Sequence, residues 1–383
     1  MLTESKTKIS ILCTSLGSGG AQKVISLLLH RLIHDYNVTL VLFYNTIHFP
    51  IPDEVNVIAL NEEGKNNTHF MKLVDLFKFI RTYNRIIKQE DISISISFLA
   101  FPNLVNGVIS TRNKELKTII SERGFPSDNT TSKLSYYISK LSYPVFYNKC
   151  DKLFSNSIHI NKDLKDNFGI TIPMEVIYNP IEIPKKLIDP KELITTDKHL
   201  NIITAGTLNT RKNQIMIIRA LNENNTNDKL TILGEGHLLG YLTNEIAKRK
   251  LTNQVFLEGN VKNVNSYLLQ SNCFVLSSFT EGFPNALMEA MAIGLPCIST
   301  NCLSGPLELL NDNEDIELTD GDFYIGKYGL LVNNDDHIGL SKALEFFRNN
   351  PTERERFSAL SLQKASEYQL DSIYSRFKTF IQL

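Results

Sequence analysis

The sequence lacks the segments that mark a secreted or membrane-spanning protein. Its N-terminal apolar run is short, is interrupted by Cys13 and Thr14, and has no cleavage site after it, so it does not resemble a signal peptide. No apolar run reaches transmembrane length, since Pro102 and Asn103 break the stretch 92–109 that comes closest. We therefore expect a cytoplasmic protein.

Cysteine is scarce, and the common metal and nucleophile motifs are missing. The five cysteines form no CxxC pair, so we expect buried thiols in a reducing compartment. HExxH, a Cys/His cluster, EF-hand spacing, a Walker loop and a GxSxG elbow are all absent, and the eight histidines are scattered. These absences predict no cofactor and no metal.

Charge is nearly balanced. The net charge of −1 gives no general attraction to nucleic acid, and we expect no nucleic-acid partner. Residues 1–180 hold 20 Lys and Arg against 16 Asp and Glu. This excess could favour an anionic surface or a phosphorylated acceptor, and an excess this small is equally typical of solvated surface.

The length of 383 residues suits two domains, and the first half alternates strands with helices. A strand at 9–14, a glycine loop at 17–20 and a helical pattern from Val24 predict the first unit of a doubly wound domain. Further strands are predicted at Val38–Tyr44, Val55–Leu60, Ile92–Phe98, Thr118–Ser121 and Lys152–Ser155. Helices are predicted at about 70–89, 102–111, 131–148 and 158–167, the last capped by Ser157.

The same alternation restarts in the second half. Strands are predicted at Leu200–Ala205, Leu230–Leu233, Val255–Leu257, Cys273–Ser277 and Cys297–Thr300. Helices are predicted at 215–221, 335–349, 351–367 and 371–382. Both halves therefore predict parallel sheets with helices on both faces, which bind ligands at the carboxyl ends of their strands.

The most informative stretch runs from Ser277 to Glu308. Within it, Gly-Phe-Pro-Asn precedes an apolar helix that Asn285 could cap. A loop that enters a helix start offers backbone amides to an anion. Glu281 would lie at the mouth of that site and Glu289 one helical turn in. Two carboxylates beside a phosphate cradle predict a nucleotide-sugar ligand.

Residues 281–296, E-G-F-P-N-A-L-M-E-A-M-A-I-G-L-P, resemble the E-x7-E signature of family-4 retaining glycosyltransferases of the GT-B fold. The residues that follow fit the same pattern: Gly294, Pro296, Ser299, Thr300, Gly305, Pro306 and Glu308. The resemblance implies an α/β protein with two Rossmann-like doubly wound domains that face a central cleft. We expect an acceptor domain at 1–182, a linker at 183–199, a donor domain at 200–367, and a C-terminal helix, 368–383, that packs back on the first domain.

The resemblance also implies roles for individual residues. Glu281 would hold sugar hydroxyls, and Glu289 would hold the ribose. Arg211 and Lys212 would stabilise the leaving diphosphate, together with backbone amides of Gly282, Phe283, Asn285, Ala286 and Leu287. Other expected ligand contacts are Gly19 and Gly20 near the diphosphate and acceptor, Gly234 on the nucleotide side, and Val261 at the base.

Two positions depart from the family pattern or vary within it. Thr207 stands where the family usually carries a phosphate-binding arginine, so either Arg211 substitutes for it or the donor geometry differs. Arg123, in Ser121-Glu122-Arg123, stands where many relatives carry histidine and others arginine. Its guanidinium could bind a sugar or phosphate bidentately, or form a surface salt bridge with Glu122, and the sequence leaves both open.

Two further segments have competing interpretations. Residues 133–149 interleave lysines with tyrosines and aliphatics, which suits a bilayer interface, a single-stranded nucleic acid, or a helix packed on its own sheet; the packed helix is favoured. Asp320-Gly321-Asp322 matches the metal-binding D-x-D of the other large glycosyltransferase fold. It lies in an acidic loop far from any early strand, so we expect no metal there.

The resemblance implies a metal-independent hexosyltransferase that retains the anomeric configuration. The donor would be a UDP-linked nucleotide-sugar. The acceptor would be a glycan or a polyprenyl-diphosphate-linked molecule in O-antigen, lipopolysaccharide or capsule synthesis. Peripheral contact with the cytoplasmic face of the inner membrane would follow from such an acceptor. Two alternatives stay open. One is a GT-B-like nucleotide-sugar epimerase or phosphorylase, and the other is a catalytically silent partner subunit.

Overall fold

The computed structural model describes residues 6–62, 69–128, 133–194, 199–223 and 226–383. The chain divides into two compact units. The first unit comprises Met1–Pro180 and Leu370–Leu383, and the second comprises Ile181–Gln369. Each unit is built on its own seven-stranded sheet.

The sheet of the first unit is parallel throughout, with strand order β3-β2-β1-β4-β5-β6-β7. Its strands are β1 Lys8–Cys13, β2 Asn37–Tyr44, β3 Asn56–Asn61, β4 Ile94–Phe98, β5 Lys117–Glu122, β6 Lys152–Ser155 and β7 Met174–Val176. Its helices are α1 Gly20–Asp35, α2 His69–Gln89, α3 Ala100–Arg112, α4 Lys133–Phe146, α5 Ile158–Phe168 and the C-terminal α13 Leu370–Gln382. The predicted doubly wound fold of this half is confirmed.

Burial explains the apolar character of the central strands β1 and β2. Every residue of β1 except Lys8 is buried, because helices cover both faces of a parallel sheet. The C-terminal α13 is one of these covering helices: the Phe377 ring lies 5.2 Å from the Phe154 ring. Lys117 Nζ also donates to Ile381 O at 2.8 Å. The last helix of the chain is therefore part of the first unit's core.

The sheet of the second unit has strand order β10-β9-β8-β11-β12-β14-β13, in which only β13 is antiparallel to its neighbour. Its strands are β8 Asn201–Ala205, β9 Lys229–Leu233, β10 Val255–Gly259, β11 Cys273–Leu276, β12 Cys297–Thr300, β13 Phe323–Ile325 and β14 Leu330–Val332. Its helices are α6 Gln214–Glu223, α7 Leu239–Lys248, α8 Val264–Leu268, α9 Asn285–Ile293, α10 Pro306–Asn311, α11 His337–Asn349 and α12 Pro351–Ser366.

The segment 181–194, most of which was assigned to a linker, belongs to the second unit in this structure. Leu193 O accepts hydrogen bonds from the buried guanidinium of Arg354 at 3.0 Å and 3.3 Å. Ile188 N donates to Ile293 O at 2.9 Å. These bonds fix the segment against α9 and α12.

Strand order places the expected ligand sites. In an open α/β sheet, ligands lie beyond the carboxyl ends of strands where the order reverses. The reversal falls between β1 and β4 in the first unit and between β8 and β11 in the second. The glycine loop 17–20 follows β1, and the loops 206–213 and 277–284 follow β8 and β11.

Candidate functional site

The loop 277–284, which follows β11, leads directly into α9. This helix begins at Asn285, and its N-cap is Pro284, with no side-chain cap bond. The expectation that Asn285 caps the helix is wrong, because Asn285 already occupies the first helical position. The amide of Met288 bonds back to Pro284 O at 3.1 Å. The amides of Ala286 and Leu287 precede that bond and lie at the positive end of the helix dipole.

A second loop holds the residues before α9 in place. Glu281 N donates to Leu303 O at 2.8 Å, and Ser304 N donates to Glu281 O at 2.9 Å. Ser304 Oγ also donates to Gly282 O at 2.6 Å. A Cβ on Gly305, whose φ is +102°, would lie 2.5 Å from Pro284 Cδ. The helix start is therefore a fixed structure, and position 305 needs glycine.

Glu281 is the centre of a buried ion cluster. Its side chain is 5% exposed, and its Oε1 accepts from Lys212 Nζ at 2.5 Å and from Ser278 Oγ at 2.6 Å. Its Oε2 accepts from Arg211 Nη1 at 3.3 Å. Burial alone would raise the pKa of Glu281, but the charges of Lys212 and Arg211 and the hydrogen bonds from Lys212 and Ser278 lower it below its ordinary value. The carboxylate is therefore ionised and committed to these partners.

The turn that carries Arg211 and Lys212 is hydrogen-bonded to the loop that follows β11. Phe279 N donates to Arg211 O at 2.8 Å, and Ser277 Oγ donates to Lys212 O at 2.8 Å. Lys212 N donates to Asn209 Oδ1 at 3.0 Å, which closes the turn. The cations after β8 and the carboxylate after β11 thus meet at the reversal of strand order, where a ligand is expected.

The cluster carries surplus positive charge. Two cations share one carboxylate, which leaves a net charge of +1. The Arg211 side chain is 47% exposed, and the Lys212 side chain is 16% exposed. The charge is therefore accessible through Arg211 above all, and guanidinium groups bind phosphate oxygens well. Thr207 is exposed on the same loop, and its carbonyl accepts from Gln214 Nε2 at 3.1 Å.

The other predicted donor-side residues lie at the same edge of this sheet. Glu289 is half-buried, one turn into α9. Gly234 follows β9, and a Cβ there would lie 2.2 Å from Gly206 O, so only glycine fits. Val261 follows β10 and is half-buried. Phe283, in the loop before α9, is buried, and its ring lies 5.7 Å from the Tyr368 ring. Strand order brings these positions to one edge, as the sequence analysis expected.

At the switch point of the first unit, Gly19 is the N-cap of α1 and Gly20 is its first residue. Across the same reversal, Leu99 follows β4 with φ +76° and ψ 159°, a backbone region that favours glycine. This conformation of Leu99 was not predictable from the sequence, because leucine rarely adopts a positive φ. This strained residue lies where a ligand is expected.

Arg123 is buried, which excludes the surface salt bridge with Glu122. Its guanidinium lies over the rings of Phe98 and Phe154, 5.2 Å and 4.8 Å from their centroids, and the two rings meet edge to face. Nη1 donates to Asn179 Oδ1 at 2.9 Å, while Nε has no hydrogen-bond partner in the described part of the chain. Burial lowers the pKa of Arg123 to about 9. The side chain is therefore packed inside the first unit, against two rings and an amide oxygen.

Glu122 precedes Arg123 at the carboxyl end of β5, where the rule for open α/β sheets predicts possible site positions. Its side chain is buried, and Oε2 accepts from Tyr147 at 3.1 Å. Oε1 accepts from the amide of Arg123 at 3.3 Å. Burial raises the pKa of Glu122 to about 7. The predicted cap of α5 is confirmed nearby, since Ser157 Oγ accepts from His159 N at 3.2 Å.

The acidic loop shows ordinary side-chain contacts. Asp320 Oδ1 accepts from Asn333 Nδ2 at 2.7 Å, and Asp322 Oδ1 accepts from Phe323 N at 3.0 Å. Within the described residues, no group of three or more His, Cys, Asp or Glu side chains could hold a metal ion. The expected burial of the cysteines is confirmed, since all five are buried free thiols.

Two family models match adjacent parts of the chain. "Glycosyltransferase Family 4" matches residues 18–184, and "Glycosyl transferases group 1" matches residues 185–361. The class that the fold and the site define is thus a glycosyltransferase with two Rossmann-like domains. The chain belongs to the glycosyltransferases that carry these two domains, and its fold is GT-B.

Curated relatives span nearly the whole chain. An N-acetylgalactosamine-N,N'-diacetylbacillosaminyl-diphospho-undecaprenol 4-alpha-N-acetylgalactosaminyltransferase of Campylobacter jejuni is 28% identical, covering 94% of this chain and 95% of the relative. A second transferase of the same organism acts on a GalNAc-GalNAc-diNAcBac-PP-undecaprenol, as its name states; it is 25% identical and covers 96% of each chain.

Solved structures share the fold. The lipopolysaccharide outer core galactosyltransferase WaaB, in its apo form, aligns with a TM-score of 0.75 and 18% identity over 98% of this chain and 100% of its own. Anabaena HepE in complex with UDP and glucose aligns with a TM-score of 0.76 and 14% identity over 98% of this chain and 99% of its own. At these identities the likeness shows the GT-B fold.

Proposed function

We propose that this protein is a retaining, metal-independent hexosyltransferase. It moves a hexose or N-acetylhexosamine from a nucleotide-sugar, UDP-linked, to a hydroxyl of a growing lipid-linked surface polysaccharide. The observation that carries the proposal is the pair of cations, Arg211 and Lys212, held by the buried Glu281 beside the start of α9. A cation pair beside helix-start amides suits a diphosphate leaving group.

Each residue has a separate task in this proposal. Lys212 and Arg211 stabilise the negative charge that grows on the diphosphate as the glycosidic bond breaks, together with the amides of Ala286 and Leu287. Glu281 fixes both cations. Its Oε2 accepts one hydrogen bond, from Arg211, and a carboxylate oxygen can accept two, so it retains capacity for a sugar hydroxyl. Glu289 binds the ribose hydroxyls.

Retention of the anomeric configuration requires the acceptor to bond to the same face of the sugar from which the diphosphate departs. Glu281 is committed to Lys212, Arg211 and Ser278, which makes it a poor nucleophile. We therefore propose that the departing phosphate oxygen accepts the proton of the acceptor hydroxyl as the new glycosidic bond forms. The negative charge of the diphosphate then stays beside Arg211 and Lys212 throughout the step, so no metal is needed to balance it.

The acceptor class is proposed from the relatives. Both Campylobacter jejuni proteins are named for diphospho-undecaprenol-linked substrates. A polyprenyl-diphosphate-linked glycan would place the protein at the cytoplasmic face of the inner membrane. Among the described helices, none is long and apolar enough to cross a membrane. The membrane contact that we propose is peripheral.

A panel of nucleotide-sugars screened by thermal shift tests the donor, because a ligand at a hundred times its Kd stabilises by about 2.7 kcal/mol. Transfer to a polyprenyl-diphosphate-linked glycan is then followed with the stabilising donor. Glu281→Ala should abolish transfer, because it frees both cations. Near-normal turnover of Glu281→Ala would refute its role. Incubation of the donor without acceptor separates transfer from epimerisation.

A further inference from the structure

The outward face of α4 is apolar, which is unusual for a helix at the surface of a domain. Tyr137, Ile138, Leu141 and Val145 have exposed fractions of 59%, 56%, 73% and 54%. At 3.6 residues per turn, positions 137, 141 and 145 form one row, and 138 lies beside them. We call these four side chains the α4 stripe. Contiguous exposed apolar surface of this kind marks an interaction site.

The opposite face of the same helix is already packed. Tyr136 and Tyr143 contact Phe168, with ring centroids 5.9 Å and 5.3 Å apart, and Tyr143 is buried. The helix is therefore apolar on both sides, and the α4 stripe is not the core-facing side of an amphipathic helix. The interpretation favoured from sequence, a helix packed on its own sheet, accounts for the tyrosines and leaves the α4 stripe unexplained.

The charged residues of the α4 segment itself have one sign. Between Asp128 and Asp151 the sequence holds three lysines, at 133, 140 and 149, and no Asp or Glu. Lys140 is exposed beside the stripe, with Nζ 5.7 Å from the centre of the Tyr136 ring, and Lys149 is exposed at the end of the segment. Apolar side chains flanked by lysines match the boundary between acyl chains and anionic headgroups.

We propose that the α4 stripe docks this protein on an anionic bilayer, with the stripe inserted at the headgroup boundary and Lys140 beside lipid phosphates. The choice of a bilayer rests in part on the proposed lipid-linked acceptor. A second copy of the chain fits less well, because a symmetric contact would bring the exposed Lys140 and Lys149 of each copy close to those of the other. Single-stranded nucleic acid would leave the aliphatic part of the stripe unused.

Co-sedimentation of the full chain with vesicles tests the proposal. Equimolar phosphatidylethanolamine and phosphatidylglycerol should bind the protein, and phosphatidylcholine alone should bind it weakly. Leu141→Glu should weaken binding to the anionic vesicles about tenfold or more, since it replaces an inserted leucine by a charge. Lys140→Gln should weaken it about fivefold. The matched control is Ile325→Glu, which changes a comparably exposed side chain of the second unit and should leave binding unchanged.

Donor binding, followed by thermal shift, separates this proposal from the proposed function. Loss of vesicle binding by Leu141→Glu with an unchanged nucleotide-sugar shift supports the bilayer contact. If the wild type binds vesicles and no nucleotide-sugar, the proposed function fails and the bilayer contact stands. Equal vesicle binding by wild type and Leu141→Glu overturns the bilayer contact. A dimer in light scattering that Leu141→Glu dissociates, without vesicle binding, also overturns it, in favour of a second copy.

Discussion

Removal of the Lys212 charge is the perturbation whose consequences the structure defines best. In Lys212→Met the buried Glu281 keeps only Arg211 at 3.3 Å and Ser278 Oγ at 2.6 Å. Loss of one partner of a buried ion pair costs roughly 3–5 kcal/mol of stability. Because Arg211 and Ser278 still contact Glu281, we expect Lys212→Met to cost about 3 kcal/mol. For a unit of this size that lowers the Tm by about 6–12 °C.

The double variant Lys212→Met/Glu281→Gln provides the control for this prediction. Removing both charges abolishes the cost of an unpaired buried carboxylate, so the double variant should regain at least half of the lost stability. Turnover should not recover, because loss of a donor to a developing oxyanion costs about 10²–10³-fold in kcat. Thermal denaturation and initial rates measure the two effects separately. A double variant less stable than Lys212→Met would refute the pairing argument.

Two further predictions concern other residues. Arg211→Gln should weaken donor binding about tenfold, with little change in Tm, because the arginine is half exposed and its ion pair with Glu281 is screened by solvent. Adding Thr207→Arg to this variant should restore donor binding. Titration calorimetry measures both effects. Glu122→Gln should remove a pH dependence of stability. Burial raises the pKa of Glu122 from 4.5 to about 7, so wild type is stabilised below pH 4.5 and loses that stability as pH rises through 7. The Tm of the variant relative to wild type should therefore rise from pH 5 to pH 8, and an equal difference at both pH values would contradict this.

The architecture was predictable from sequence because parallel strands covered on both faces are continuous apolar runs. The stretch 281–296 was recognisable for a different reason. Two glutamates eight positions apart are a weak signal by themselves, but the residues between them and after them also match the family pattern. The antiparallel pair Phe323–Ile325 and Leu330–Val332 was not predicted. Three-residue strands carry too little periodicity to be recognised.

Tertiary contacts account for what the sequence could not show. The ion pairs of Glu281 join residues about 70 positions apart, so its burial was not predictable from its own loop. Arg123 packs against Phe98 and Phe154, which come from two other strands. The sequence of α4 has apolar residues on two faces, and only the packing of Tyr136 and Tyr143 shows which face is covered.

The central claim is that a diphosphate lies against Lys212, Arg211 and the start of α9. Titration calorimetry with UDP and with uridine, on wild type and on Lys212→Met, tests it most directly. UDP should bind wild type at least tenfold more tightly than uridine, and Lys212→Met should reduce that preference while leaving uridine binding unchanged. An undiminished preference for UDP in Lys212→Met would contradict the claim.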